Sequence, residues 1–287
     1  MITCFYHKDC LDGFASAWVV KQRYPDVRFI PVTYNELPPL LPTGEVLFVD
    51  FIFTDIAVMR DIIHTADRVT VYDHHLPAQK IIDKLHHEFS GERFQGVYDV
   101  NRSGAGITWD ALYPNQPRPK LIDYVEDRDL WRFTLEDTRN FCDGLRQLPY
   151  CFNDYHYAST HEGTTQLIKR GRIYRDDLKR RCQETIATRQ VTLNLPYKDG
   201  STLTLPGVFT DYPEERSELA AMLLTKVDHP VVAVLWYLED GIRVRLVSKK
   251  NGPNVDAMAS HFGGGGHEHA AGFMLSMDEE RYISQSA

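Results

Sequence analysis

Three short polar segments in the first half of the sequence contain residue types that bind metal ions. The first, HKDCLDG, follows an apolar run and contains His7, Asp9 and Asp12. The second is Asp50 at the end of VLFVD, and the third is the Asp-His-His triplet at residues 73–75. Each segment alone fits an ordinary polar turn. Together they offer carboxylates and imidazoles, which suit manganese, iron or zinc better than calcium.

The predicted strands indicate how these segments meet. Each segment lies at the carboxyl end of a predicted strand, namely ITCFY, EVLFVD or RVTVYD. In an open parallel sheet these ends lie along one edge, where ligands bind. Carboxylates brought together without a cation would repel one another, and divalent cations remove that cost. A fourth acidic segment, YVEDRDLW, adds Asp127 and Asp129 at the end of a predicted helix.

This number of ligands is what a pair of metal ions requires, with one carboxylate bridging ions ~3.5–4 Å apart. We predict that six residues hold the metals: His7, Asp9, Asp12, Asp50, His74 and Asp127. His75 is then free to contact a substrate oxygen, and Asp73 orients an imidazole from behind the ligands. We therefore predict catalytic roles for His75 and Asp73.

The order of the predicted elements favours an α/β domain followed by a smaller α+β domain. Short apolar runs alternate with helical patterns in the first half, as in parallel sheets, and Thr54 is the expected N-cap of the helix TDIAVMRDIIH. In the second half, hairpins with Lys-Asp-Gly and Glu-Asp-Gly turns flank the helix SELAAMLLTKV. The predicted domains are residues 1–168 and 188–287, joined by a basic connecting helix at 169–187. Its seven basic residues indicate a solvated face or, alternatively, a guide for an anionic substrate.

A run of four glycines, Gly263 to Gly266, precedes His267 in the second half. Such a run loses much conformational entropy on folding, so it indicates backbone that no side chain may crowd. We expect its N–H groups, at the start of a helix beginning near His267, to bind an anion, with Ser248 and Lys249 nearby. A flexible hinge is the alternative.

Composition excludes several classes of protein. The net charge of −8 argues against general binding of long duplex nucleic acid. Five cysteines without a CxxC pair predict reduced thiols. No apolar run approaches the ~20 residues that span a bilayer, and no secretory signal is visible, so a cytoplasmic location is expected.

The motifs HKDCLDG, VDF, YDHH and GGGGHEHAAGF, in this order and spacing, resemble the DHH phosphoesterase superfamily with a DHHA1 domain. The resemblance implies a parallel-sheet DHH domain, a smaller α+β DHHA1 domain that binds substrate, and an active site in the interdomain cleft. It also implies two manganese ions. His7, Asp12, Asp50 and His74 match the family's metal positions, and His75 matches its phosphate contact.

Two metal positions stay open under this resemblance. The family's first motif usually spaces its acids two apart, whereas Asp9 and Asp12 are three apart. The last metal acid is Asp127 or Asp129, and Asp127 is preferred because Trp131 then lies where the family tends to have an aromatic residue.

The resemblance also suggests where substrate binds. Gly264 to His267 match the family's substrate-binding glycine motif. The basic contact is expected from Arg243, Arg245 or Lys249, because the chain has RLVS where the family often has Ser-Leu-Arg-Ser. We predict six substrate-binding residues: Gly264, Gly265, Gly266, His267, Lys249 and Arg245.

The leading functional hypothesis is a manganese-dependent phosphodiesterase that cuts very short RNA, especially linear dinucleotides such as pGpG, to mononucleotides. The acidic balance and small second domain favour short substrates over long single strands. Tyr155, Tyr157 and Phe262 are candidates to stack a base, and a homodimer is compatible with the sequence. The alternatives are a single-strand exonuclease, a cyclic-dinucleotide phosphodiesterase, a phosphoanhydride hydrolase, or a non-catalytic nucleotide sensor.

Overall fold

The computed structural model describes residues 1–34, 36–38, 41–89, 91 and 93–285. They form two compact units, residues 1–174 and 175–287. The predicted connecting helix at 169–187 lies inside one long helix, His161–Arg189, which continues from the first unit into the second. Within its basic run, Arg180 pairs with Asp177 at 2.7 Å and with Glu184 at 2.8 Å, so acidic residues of the same helix balance part of its charge.

The first unit contains a parallel five-stranded sheet. Its strands are β1 (Ile2–His7), β2 (Val27–Val32), β3 (Glu45–Val49), β4 (Arg68–Asp73) and β5 (Phe94–Tyr98). They lie in the order β2-β1-β3-β4-β5, with every pair parallel. The prediction of a parallel α/β sheet is confirmed. The strands β1, β3 and β4, which end at the candidate metal residues, are neighbours in this sheet.

Helices connect these strands and follow them. They are α1 (Leu11–Arg23), α2 (Ile56–Thr65), α3 (Leu76–Glu88), α4 (Gly104–Leu112), α5 (Lys120–Asp129), α6 (Thr138–Leu145), α7 (Phe152–Ser159) and α8 (His161–Arg189). The expected N-cap of α2 was wrong by one residue. Asp55, not Thr54, caps the helix, and its carboxylate accepts a 2.8 Å hydrogen bond from the N–H of Ala57.

Two apolar clusters form the core of this unit. Met59, Ile62 and Leu85, from α2 and α3, pack with Phe5 and Phe48 of the sheet, and all five side chains are fully buried. A second cluster joins α1, α4, α5, α6 and α7 through residues such as Phe14, Trp18, Trp109, Leu121 and Phe141. Burying each large apolar side chain contributes about 1.5–3 kcal/mol, so the helices hold the sheet edge in place.

The second unit contains a mixed seven-stranded sheet. Its strands are β6 (Gln190–Pro196), β7 (Thr202–Phe209), β8 (Val231–Leu238), β9 (Gly241–Ser248), β10 (Gly265–His267), β11 (Ala270–Leu275) and β12 (Ile283–Gln285). The order is β10-β11-β9-β8-β7-β6-β12, and only β7 and β8 among these pairs are parallel. Helices α9 (Arg216–Lys226) and α10 (Val255–His261) complete the unit. Both predicted hairpins are present. No helix in the described ranges has the length and apolar character needed to cross a membrane.

Candidate metal centre

The candidate metal residues converge at the carboxyl edge of the parallel sheet. His7 is the last residue of β1, Asp50 directly follows β3, and His74 directly follows β4. The N–H of Asp50 donates to the carbonyl oxygen of Tyr72 on β4 at 2.9 Å, which extends the ladder by one residue. Asp50 has a φ of 55°, a left-handed conformation that is strained for a residue with a side chain. Strain of this kind clusters at functional sites.

Asp50 holds the centre of this cluster. Its side chain is 1% exposed, with Oδ2 3.5 Å from Nδ1 of His7 and Oδ1 3.2 Å from Nε2 of His74. Neither oxygen has a hydrogen-bond partner among the described residues. Burial raises the pKa of Asp50, but the His7 and His74 imidazoles lower it by more, so the pKa is well below its ordinary value. Asp50 is therefore a buried anion whose oxygens face imidazoles.

A second group of donors adjoins Asp50 at His74. Nε2 of His74 lies 3.8 Å from Oδ2 of Asp12 and 3.4 Å from Oδ2 of Asp129. The Asp12 carboxylate also accepts hydrogen bonds from the N–H groups of Gly104 (2.6 Å) and Ala105 (3.0 Å), at the start of α4. Burial raises the pKa of Asp12, and the nearby carboxylates of Asp50 and Asp129 raise it further.

Gly104 allows α4 to approach the cluster. A Cβ at this position would lie 2.6 Å from Cβ of Asp50 and 2.9 Å from its Oδ1, closer than real atoms pack. Because Gly104 has no side chain, the start of α4 can approach Asp50, and the N–H of Gly104 can donate to Asp12. Sequence analysis did not single out this residue.

The structure places the carboxylate of Asp127 in a hydrogen-bond network of its own. Its carboxylate accepts hydrogen bonds from the N–H and hydroxyl of Thr134 (2.9 and 2.7 Å), the N–H of Leu135 (3.2 Å) and the hydroxyl of Thr138. Both oxygens are therefore engaged in closing the loop after α5. Asp129 is the acidic residue that the structure brings to His74, because residues two apart on a helix point in nearly opposite directions.

Asp9 and Cys10 also differ from the predicted arrangement. Asp9 is exposed, has a φ of 54° and lies outside the metal-binding groups found among the described residues. Its neighbour Cys10 instead forms such a group with His7 and Asp50, in which the donor atoms all lie within 4.8 Å of one another. Sequence analysis treated Cys10 only as a reduced thiol.

His75 and Asp73 form a separate pair beside this cluster. Oδ1 of Asp73 lies 2.7 Å from Nδ1 of His75 and also accepts from the N–H groups of His74 and His75, at 2.7 and 3.1 Å. Burial lowers the pKa of His75, but the hydrogen bond to Asp73 and the nearby carboxylate charges together raise it by more, to about 9. Asp73, which is fully buried, therefore fixes the orientation of His75 and favours its cationic form.

The donor set fits divalent cations. Three groups of candidate ligands are present: His7 with Cys10 and Asp50, Asp50 with His74 and His75, and Asp12 with His74 and Asp129. Asp50 and His74 each belong to two groups, so the donor atoms form one continuous cluster. A buried carboxylate without hydrogen-bond donors is costly unless a cation or ion pair compensates it. Oxygen and imidazole donors are the ligands that manganese, iron and zinc accept.

An exposed aromatic surface follows Asp129 directly. Trp131 is 71% exposed and has a left-handed φ of 54°. Its ring meets Phe133 edge to face, and the guanidinium of Arg139 lies 3.6 Å from the centre of the Phe133 ring. Of the aromatics considered from the sequence, Tyr155 is only 1% exposed, and Phe262 stacks on Phe273. Trp131 is thus much more accessible for stacking than Tyr155.

The glycine run in the second unit has a different structure from the one expected. No helix begins near His267; instead β10 and β11 form a hairpin, in which Gly265 pairs with Gly272. The N–H of Gly264 donates to the carbonyl of Ala259 at 2.9 Å, and the N–H of Gly266 donates to Oδ1 of Asp256 at 2.7 Å. The N–H groups of Gly264 and Gly266, which were expected to bind an anion, therefore already donate to acceptors within the protein.

Close packing explains the glycines better than anion binding does. A Cβ on Gly264 would lie 2.2 Å from the carbonyl oxygen of Gly272, whereas a Cβ on Gly265 would meet nothing nearer than 3.6 Å. Gly263 has a φ of 75°, a left-handed conformation that favours glycine at the end of α10. His267 is exposed beside this hairpin, and Ser248 contacts the same turn through Nδ1 of His269 at 2.9 Å.

The predicted basic contacts occupy two different environments. Lys249 is exposed after β9, whereas Arg245 lies on β9 near Arg216. The guanidinium of Arg216 stacks 3.7 Å above the centre of Trp236, and its buried Nε has no hydrogen-bond partner among the described residues. Burial lowers the pKa of Arg216, and the charge of Arg245 lowers it further. The second unit thus carries two guanidinium groups near enough to influence each other electrostatically.

Comparison with known proteins agrees with this architecture. Residues 210–284 match the DHHA1 domain family. An uncharacterized protein, R106 of Acanthamoeba polyphaga mimivirus, is 26% identical over 292 residues. That alignment covers 94% of this chain and 66% of the viral protein, so the chain spans just under two thirds of its relative's length.

Two solved structures share the fold. The pGpG-specific phosphodiesterase PggH from Vibrio cholerae superposes with a TM-score of 0.60 at 14% identity, covering 98% of this chain and 95% of PggH. RecJ from Thermus thermophilus, in complex with Mn²⁺, superposes with a TM-score of 0.51 at 14% identity. The match covers 96% of this chain and 50% of RecJ.

Most of the second unit thus matches the DHHA1 domain family, and the chain shares the fold of PggH and RecJ. The DHHA1 match and the fold shared with PggH and RecJ confirm the resemblance first seen in the motifs of the chain.

Proposed function

We propose that this protein is a metal-dependent phosphodiesterase that hydrolyses very short RNA, above all linear dinucleotides, to mononucleotides. The observation that carries the proposal is the buried Asp50 carboxylate, which lies between His7 and His74 with both oxygens free of hydrogen-bond donors. Such a carboxylate is suited to hold divalent cations. We propose manganese for both, since oxygen and imidazole donors dominate the cluster.

In this mechanism the protein's own residues hold the cations and the substrate. His7 and Asp50 would hold one cation, and Asp12, His74 and Asp129 would hold the other beside Asp50. Bound cations activate water and neutralise charge on a phosphodiester. The imidazolium of His75 donates a hydrogen bond to a phosphate oxygen, and stabilises the charge that develops there.

Asp73 keeps His75 in the form that this role requires. Its 2.7 Å contact with Nδ1 fixes the ring and favours protonation, which leaves Nε2 as the donor toward substrate. No described residue occupies Nε2 with a hydrogen bond. The two adjacent histidines therefore divide the work, because His74 lies near the carboxylates of Asp12, Asp50 and Asp129 while His75 pairs with Asp73.

The preference for short, single-stranded substrate rests on the surface near Asp129 and on charge. Trp131 offers an exposed face on which one base can stack, and such stacking contributes about 1–3 kcal/mol per base. The net charge of −8 opposes binding to long polyanions. The fold shared with a pGpG-specific phosphodiesterase adds support for a dinucleotide substrate.

A single-strand exonuclease is the second candidate, favoured by the fold shared with RecJ. The deciding experiment compares hydrolysis of 5′-phosphorylated RNA dinucleotides, longer single-stranded RNA and DNA, cyclic dinucleotides and pyrophosphate. Each substrate is tested with Mn²⁺ and with a chelator. Manganese-dependent release of mononucleotides, fastest from dinucleotides, is the expected result.

Other outcomes of that panel would overturn the proposal. Digestion of long DNA as fast as dinucleotides would indicate an exonuclease. Binding of dinucleotide without turnover of any substrate would indicate a nucleotide sensor. Activity that persists undiminished after chelation and exhaustive dialysis would refute the metal-dependent mechanism itself.

A further inference from the structure

Cys10 is placed where a metal ligand is expected, although its neighbour Asp9 was the residue predicted there. Cys10 is the N-cap of α1, with extended backbone (φ −116°, ψ 135°) and no side-chain capping hydrogen bond. Its sulfur lies within 4.8 Å of ligand atoms on His7 and Asp50. Asp9, by contrast, is exposed and outside these groups.

The buried polar atoms around this sulfur lack hydrogen bonds. Nδ1 of His7 and both carboxylate oxygens of Asp50 are buried without a hydrogen bond in the part of the chain that the structure describes. The Asp50 side chain is 1% exposed, so water does not compensate its charge. A cation between His7 and Asp50 would satisfy these atoms, and the sulfur of Cys10 is near enough to join them.

We propose that Cys10 is a third protein ligand of the cation held by His7 and Asp50. The inference rests on the metal centre of the proposed function and concerns its chemistry. When the cation binds, the thiol releases its proton to solvent and the sulfur donates an electron pair to the metal. A thiolate makes this position softer than one built from oxygen and imidazole alone, so it favours Co²⁺, Zn²⁺ or Fe²⁺ over Mn²⁺ relative to the neighbouring position.

Cobalt spectroscopy tests this ligand without depending on catalysis. The full-length, metal-free protein is titrated with Co²⁺, and absorption is recorded from the near ultraviolet to the visible. Thiolate ligation produces a sulfur-to-cobalt charge-transfer band, whereas visible d–d bands report bound Co²⁺ whatever its ligands. Wild type is compared with Cys10→Ser and with Cys151→Ser as the control. Cys151 matches Cys10 because it is also a half-buried helix N-cap with extended backbone.

The expected result is a charge-transfer band in wild type and in Cys151→Ser that is absent from Cys10→Ser. The Cys10→Ser protein still shows d–d bands, with Co²⁺ affinity at the altered position reduced at least about tenfold. Visible d–d bands in wild type without a charge-transfer band would overturn the inference while leaving the metal centre intact. Failure of wild type to bind Co²⁺ and Mn²⁺ alike, measured by equilibrium dialysis, would overturn both the inference and the proposed function.

Discussion

Asp127 and Asp129, two residues apart at the end of α5, are predicted to respond in opposite ways to the same isosteric change. In Asp127→Asn, one side-chain oxygen still accepts the two donors of Thr134, but the amide NH₂ faces the N–H of Leu135 and the hydroxyl of Thr138. The N–H of Leu135 then loses its acceptor, and the Thr134 bonds lose their charge assistance. Together these losses cost about 3 kcal/mol of the free energy of unfolding.

Asp129→Asn is expected to leave metal-free stability unchanged or raised. Burial raises the pKa of Asp129, and the charge of Asp50 raises it further, so the charged carboxylate disfavours the metal-free fold at neutral pH. The same change removes a ligand next to His74, and we expect metal affinity to fall at least about tenfold. Urea denaturation with chelator measures the first quantity, and calorimetric titration with Mn²⁺ measures the second.

The pH dependence gives a separate check on Asp127. Burial raises its pKa, but hydrogen bonds from Thr138 and Thr134 lower it by more, so the folded pKa is below the unfolded value of about 3.9. The carboxylate therefore stabilises the fold fully above roughly pH 5, and this contribution disappears as pH falls through about 3.9 toward the folded pKa. The stability difference between wild type and Asp127→Asn should shrink over that range. A folded Asp127→Asn protein that has lost metal binding, beside an Asp129→Asn protein that has kept it, would refute the reasoning.

Three further predictions concern catalysis, metal and packing. His75→Ala should lower turnover at least about 10²-fold without changing Mn²⁺ affinity. The control is His87→Ala, at an exposed histidine on α3, which should change neither turnover nor affinity. Equal losses of turnover in both variants would contradict the role of His75. Mn²⁺ at 100 times its dissociation constant should stabilise the protein by about 2.7 kcal/mol. Its affinity should decrease as the pH is lowered, because Asp12, whose pKa is raised, must lose its proton to bind the metal. Stability unaffected by Mn²⁺ would contradict a preformed site. Gly264→Ala should destabilise the DHHA1 domain, because the new Cβ would lie 2.2 Å from the carbonyl oxygen of Gly272, whereas Gly265→Ala should fold normally. Equal thermal stability of the two variants would contradict the packing argument.

The sequence determined the strands and the sheet edge at which the candidate metal residues lie. Apolar runs ending in His7, Asp50 and Asp73 predicted parallel strands, and strands of one parallel sheet must end on the same edge. That rule needs only the order of elements along the chain, so the convergence of His7, Asp12, Asp50 and His74 was foreseeable. The motif spacing also indicated the family, because its signatures fall in turns set by local sequence.

Only the tertiary structure decided between neighbours in the chain. Asp127 and Asp129 lie on opposite sides of a helix end, and which side faces His74 depends on how α5 packs against α1 and α4. Likewise, the left-handed backbone of Asp9 turns in a way that composition does not reveal, and Cys10 rather than Asp9 joins His7. The glycine run forms a strand because residues 270–272 pair with it, and such pairing across a hairpin outweighs the local pattern that favoured a helix. The packing of α5 depends on contacts between elements far apart in the chain, which is why spacing alone did not identify the individual residues of the candidate metal centre.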